Sequence, residues 1–314
     1  MGEILSIIVA VIWTITALFA EVGSKRFGAI QMNVLRMAGT LLFLGVALWV
    51  LTGSVCPVGM SPAAWGWFLA SGLVGFVLGD WCLFNSYVVM GSRFGQLMMT
   101  LAPLFAAFAG WAMLGEQLTL QAWLGMAVTM AGIAIAVHDK PATSTQPASV
   151  AQPAAAGASL RESQPPRFSL VGFLLGLGAA AGQGVGIVLS KMGMVLYTSD
   201  YAAVSGTFVR SVAGLAGFLL IYWWRGDRQR MRNGLHDKVA VQSALGAIIT
   251  GPCIGVSLSL FAVTLAPAGV ASTLMALTPI FILWPSKWLF GQPVTARQVL
   301  GTVVAVAGTA VLCL

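Results

Sequence analysis

The chain has 314 residues, of which 58% are hydrophobic and only 8% charged, and its net charge is +7. Soluble domains carry roughly 25% charged residues, so this composition excludes a water-soluble globule and assigns the chain to a bilayer. The positive balance is dispersed through short loops, where membrane topology accounts for it, so it does not describe a nucleic-acid surface.

A spanning helix needs about 20 apolar residues. Ten such segments are predicted, at residues 3–24, 31–52, 63–89, 93–114, 119–138, 168–191, 201–224, 238–264, 267–290 and 295–314. The first lacks a basic opening and is long enough to stay as a spanning helix, so it is not read as a secretory leader. Residues 139–167 are rich in Pro, Ala, Ser, Thr and Gln without apolar periodicity, and are predicted to be a flexible linker. They divide the chain into a five-helix unit at 1–138 and another at 168–314.

The two units reread one skeleton. With a shift of 176 residues, Gly75 and Gly79 fall on Gly251 and Gly255, Pro103 on Pro279, Gly115 on Gly291, Gly125 on Gly301 and Gly132 on Gly308. Ser24-Lys25 and Ser190-Lys191 also match, as do Arg36 and Arg210, with different gaps. Five spans is an odd number, so the copies are expected in opposite orientations. That is an inverted-topology repeat about a pseudo-two-fold axis in the membrane plane. Of the 16 Lys and Arg residues, 13 lie in the loops after the first, third, fifth, seventh and ninth helices. The positive-inside rule then puts those loops in the cytoplasm and both termini outside. Within the run 225–232 the basic residues are dense enough to attract anionic lipid headgroups. Thr295 with Gln298 forms a capping-box pattern, and Thr119 is the matching N-cap in the first unit.

Polar residues inside spans mark transport sites in such folds. Asp80 is the sharpest. It reads as a proton-coupling or substrate-contact carboxylate, or as one member of a structural ion pair. The second unit has Val256 at the matching place. Glu21 reads as an ion pair with Lys25 one turn on, or as a cavity carboxylate. Trp13, Trp81, Asn85, Gln96, Thr100 and Gln183 complete the candidate substrate-binding set, each with interhelical packing or hydrogen bonding as the alternative. Pro103 and Pro279 stand mid-helix and are predicted hinges or kinks. The two GxxxG motifs, Gly75/Gly79 and Gly251/Gly255, are read as packing sites. Arg36 and Arg210 read as anchors that snorkel to headgroups, with an anionic solute as the alternative partner. Glu116 suits the helix N-terminus that follows it. His138 and His236 lie in different units, and no metal-ligand cluster, phosphate loop or paired catalytic carboxylates are seen, so no enzyme, metal or cofactor is expected.

Gly79-Asp80-Trp81, the Pro103 helix, Leu114-Gly115-Glu116-Gln117-Leu118-Thr119, then Gly125 and Gly132 together resemble an EamA-type module of the drug/metabolite transporter superfamily. Residues 168–314 resemble a second module, with Gln292 where the family usually has Glu. The resemblance implies an all-α polytopic membrane protein of ten transmembrane helices in a 5+5 inverted-topology repeat. It also implies a central cavity lined by the first, third, fourth, sixth, eighth and ninth helices. The implied function is a secondary transporter that exports or exchanges small metabolites, amino-acid-like or otherwise small, polar or aromatic, across a bacterial-type inner membrane by alternating access. Its partners would be a small-molecule substrate, protons and membrane lipids, with no nucleic acid, and a monomer is expected. A non-transporting membrane receptor or scaffold is the alternative class, but the duplicated Pro and Gly skeleton favours a moving transporter.

Overall fold

Long apolar runs leave the backbone no water to bond, so it bonds to itself as helix. A computed structural model describes residues 2–115, 119–137, 169–256, 258–259, 262, 274–290 and 294–313, and among these there is no strand. The linker at 139–167, Glu116 and His138 lie outside the described residues. Among the described residues, seven helices are long and apolar enough to cross a membrane: Gly2–Phe27, Ala29–Thr52, Pro62–Met90, Ser92–Leu114, Leu170–Val195, Ala202–Arg225 and Lys238–Gly255. Leu120–Ala136 and Ala296–Val311 are shorter apolar helices.

In chain order, α1 (Gly2–Phe27) turns into α2 (Ala29–Thr52) at Gly28, whose φ of 96° suits a residue without a Cβ. The third span is one rod in three parts: α3 (Pro62–Ser71), a π-helical stretch π1 (Gly72–Asp80) and α4 (Trp81–Met90). The fourth is α5 (Ser92–Met99) and α6 (Ala102–Leu114). Next come α7 (Leu120–Val137), α8 (Leu170–Val195) and α9 (Ala202–Arg225). A short helix α10 (Arg228–His236) precedes α11 (Lys238–Ile248), which runs into a second π-helical stretch π2 (Ile249–Val256). The described chain ends with α12 (Thr278–Phe281), α13 (Leu283–Phe290) and α14 (Ala296–Cys313).

The irregularities recur with the repeat. Shifted by 176, π1 overlies π2, and the turn at Thr100-Leu101 overlies the turn at Ala276-Leu277. This corrects the mid-helix placing of the prolines. Pro103 and Pro279 each stand in the first turn of a new helical segment, α6 and α12, where the missing N–H leaves no bond unmade. The predicted caps are present: Thr119 Oγ1 accepts from the Ala122 N–H at 3.1 Å, and Thr295 Oγ1 accepts from the Gln298 N–H at 3.2 Å.

Glycines set the closest approaches. A Cβ on Gly182 of α8 would lie 2.7 Å from Gly79 Cα, and one on Gly186 would lie 2.9 Å from Gly75 Cα. Gly72 sits against the backbone of Arg210 in α9. The GxxxG of the first unit therefore seats π1 directly on α8, backbone to backbone. α7 and α14 form a second close pair. Gly132 faces Ala305, Gly301 faces Ala136, Gly308 faces Thr129, and Thr129 Oγ1 reaches Ala305 O at 3.4 Å. At the packed crossing of π1 and α8, Gly182→Ala overpacks against backbone that has nowhere to go. It is expected to destabilise the purified protein by about 1–3 kcal/mol in thermal unfolding. Gly66→Ala, where an added Cβ meets nothing within 4 Å, should leave the midpoint unchanged or raise it slightly.

Four helices, α1, α10, α11 and α13, converge at one end of the molecule. Lys25 closes on Glu21 at 2.5 Å and lies 5.0 Å from the Phe290 ring. Arg26 pairs with Asp237, and Arg230 Nη2 donates to Lys25 O at 2.9 Å. Asp237 also caps α11, accepting from the N–H of Val239 at 2.9 Å and of Ala240 at 3.3 Å. Partial burial works against its charge, but the Arg26 guanidinium and these N–H donors outweigh it and hold the carboxyl below its ordinary value. A depressed carboxylate contributes stability that is present above the unfolded-state value near 3.8 and is lost as pH falls through the lower folded value. Acid unfolding of the wild type should therefore show a loss in that window that is smaller in Asp237→Asn, read as thermal midpoint against pH from 5 to 3.

Candidate functional site

Asp80 closes π1 and is 3% exposed, so its charge must be met inside the protein. Arg36, from α2, donates from Nη2 to Asp80 Oδ2, and Gln183, from α8, donates from Nε2 to Asp80 Oδ1 at 2.7 Å. The same Gln183 nitrogen reaches Gly75 O at 3.1 Å, a carbonyl in the wide π turn. Three elements from both units are thus tied at one carboxylate. The guanidinium of Arg36 lies 4.9 Å from the Phe84 ring, and that of Arg210, on α9, lies 4.5 Å from the Phe76 ring. Each guanidinium is thereby laid on an aromatic face. This overturns the snorkelling expectation for both arginines. The Arg36 side chain is 14% exposed and ion-paired, and the Arg210 guanidinium lies on the Phe76 ring. The buried carboxylate offers Arg36 more than headgroup water would, because Coulomb attraction grows as the dielectric falls.

The other candidates are spread over the bundle. Glu21 is fully buried and doubly used: it pairs with Lys25, and its Oε2 accepts from the Ser92 N–H at 2.6 Å, capping α5. Asn85 donates to Trp81 O at 2.7 Å, and Thr100 donates to Leu97 O at 2.7 Å, so both satisfy their own helix. Gln96 donates to the hydroxyl of the buried Tyr87 at 2.7 Å. Trp81 packs between two apolar clusters around Phe84 and Met37. Trp13 packs with Val9 and Met275 and stands against Gly255. Of the candidate set, the structure brings Asp80 and Gln183 together. The sequence reads Arg36 and Arg210 as anchors first and as partners of an anionic solute second; pairing of Arg36 with Asp80 was not foreseen, although their positions inside spans were the available signal. The π-helical stretches carry no sequence signature beyond the glycines and Pro252, which removes a backbone donor inside π2. Among the described residues no group of three or more His, Cys, Asp or Glu side chains comes together.

A bundle of apolar spans with an ion-paired core defines a multi-pass membrane protein. The comparisons with known proteins place it further: residues 1–138 and 170–314 each match the model of the EamA-like transporter family, and the chain belongs to that family. No protein of curated function gives a significant match. A solved crystal structure aligns over 99% of this chain and 95% of its own, with TM-score 0.59 at 14% identity, which is a likeness of fold.

Removing one partner of a buried ion pair leaves an uncompensated charge. Asp80→Ala should cost about 3–5 kcal/mol in thermal or denaturant unfolding, whereas the double change Arg36→Met with Asp80→Leu should recover most of that loss. A double change as damaging as the single one would show that the pair's charges are not what holds these helices together.

Proposed function

We propose that the chain is a secondary transporter that moves small metabolites across a bacterial-type inner membrane by alternating access between two inverted five-helix repeats. Family membership carries the first part, since the family is one of small-molecule transporters. The contact between α7 and α14 supports the inverted repeat. Thr129 meets Ala305, its own repeat mate at the 176-residue shift, while Gly132 lies against Gly301 and Gly308 against Gly125. Reciprocal contacts of this kind are the mark of a two-fold axis. The even division at 1–138 and 168–314, the cavity between the units and the linker that joins them follow from the same reading.

An asymmetry supports motion. The crossings of π1 on α8 and of π2 on α1 are equivalent in sequence, but only the first is glycine on glycine. Gly251 and Gly255 meet the Thr16 and Trp13 side chains instead. One crossing is tight and its mate is held apart by side chains, and exchange of the two packings is a way to open one face while closing the other. The turns before Pro103 and Pro279 supply hinge points. The loops rich in Lys and Arg are assigned to the cytoplasm. Protons are the proposed coupling ion, with protonation of Asp80 releasing Arg36.

Purified protein in liposomes should give saturable, substrate-competed flux of amino acids or other small metabolites. Asp80→Asn should make that flux indifferent to an imposed pH gradient. No flux across a broad metabolite panel would overturn the transporter reading, and unchanged pH dependence in the Asp80 variant would overturn proton coupling through that residue.

A further inference from the structure

Among the described residues, the charges around Asp80 do not cancel. Arg36 and Arg210 bring two positive charges and Asp80 one negative, and Asp80 spends both its oxygens on Arg36 and Gln183. Arg36 thus has its carboxylate. Arg210, its sequence counterpart, has none, because Val256 stands where the second unit would carry the matching Asp. Toward the described residues Arg210 makes no hydrogen bond or ion pair, its Nε is sealed from solvent without a partner, and its one direct contact of note is the Phe76 ring. A guanidinium has five donors in a planar fork that matches an oxyanion, and Arg210, which is only partly exposed, keeps donors to spare for one.

Arg210 also lines a cavity of about 160 Å³ between α3, α8 and α9. Phe68, Ile187 and Met194 give it an apolar wall, and Ser190 and Thr207 bring hydroxyls. The Thr207 hydroxyl donates to Ala203 O at 2.8 Å, so toward a ligand it has only acceptor capacity to spare, and Arg210 is the donor on which an anion would sit. An apolar cavity of roughly 150 Å³ holds a benzene-sized molecule.

We propose that this cavity is an oxyanion site, in which Arg210 binds the carboxylate or phosphate of a small monoanion whose apolar body lies against Phe68, Ile187 and Met194. The bound anion supplies the negative charge that position 256 lacks, and brings the core to neutrality. Calling the ligand a substrate rests on the transporter reading above; the site itself does not.

The test is equilibrium binding to the purified full chain in a neutral maltoside detergent at pH 7, read as the thermal midpoint. Sodium benzoate and sodium phosphate are compared with sodium chloride at matched ionic strength. A lipid arm compares nanodiscs of phosphatidylcholine alone with nanodiscs containing phosphatidylglycerol. Either free anion should raise the wild-type midpoint by roughly 2–4 °C or more when well above its dissociation constant. Arg210→Gln should abolish the shift while keeping or raising the midpoint in chloride, since it removes an unpaired charge; a structural arginine would instead lower it. Ala203→Leu, which fills the cavity and leaves Arg210 in place, should lose most of the benzoate shift and serves if the first variant does not fold. No wild-type shift, or a shift that survives both variants, overturns the proposal. A response confined to phosphatidylglycerol nanodiscs overturns the solute assignment and gives the site to a lipid headgroup. Because binding is read without flux, a silent liposome assay beside a clear benzoate shift would sink the transport reading and leave the site standing.

Discussion

A carboxylate buried among apolar helices has to be answered by something, and the core of this protein is arranged around the answer given to Asp80. Arg36 reaches it from α2 and Gln183 from α8, so one charge ties helices of the first unit to a helix of the second. Low dielectric makes the tie strong and makes its loss expensive. The tie also fixes π1, because Gln183 bonds Gly75 O as well as the carboxylate. Elements that never touch Asp80 are set in place through that stretch, α9 among them, by way of Gly72 against the Arg210 backbone.

The contact works only because the backbones can approach. Gly75 and Gly79 lie on Gly186 and Gly182 without a side chain between them, which brings Gln183 within hydrogen-bond distance of Asp80. In the second unit the corresponding Gly251 and Gly255 are met by Thr16 and Trp13. The same glycine spacing therefore serves two different packings in one molecule. What distinguishes the two packings is the side chains that meet the glycines, Trp13 and Thr16 in the second unit, rather than the shared skeleton.

The end of the molecule where Lys25, Arg26, Arg230 and Asp237 meet is organised by different physics. There the partners are carbonyls, caps and surface charges, each contributing little alone, and α10 is held by Arg230 on the carbonyls of Lys25 and Arg26. Glu21 links the two regimes. It is buried, yet it pairs with the half-buried Lys25 and caps α5 through Ser92, so the start of the fourth span is registered against the end of the first.

Much of this was legible in the residues. The apolar runs determined a helical membrane protein, because a backbone in lipid has few other ways to satisfy its polar groups. The 176-residue shift marked the glycines and prolines as architecture, and the caps at Thr119 and Thr295 were readable because capping is local. Asp80 stood out because a charge inside a span is always expensive. What the sequence did not disclose was who would meet that charge. Arg36 is 44 positions away and Gln183 is 103 away, and nothing in spacing alone separates an arginine that snorkels from one that pairs. The π-helical stretches were equally hidden, since a wide turn depends on how neighbouring helices press on glycines. Composition and repeat are properties of the chain and determine class and skeleton. The partners of a buried charge, and the absence of a carboxylate beside Arg210 among the described residues, are decided by three-dimensional proximity, which only the tertiary structure supplies.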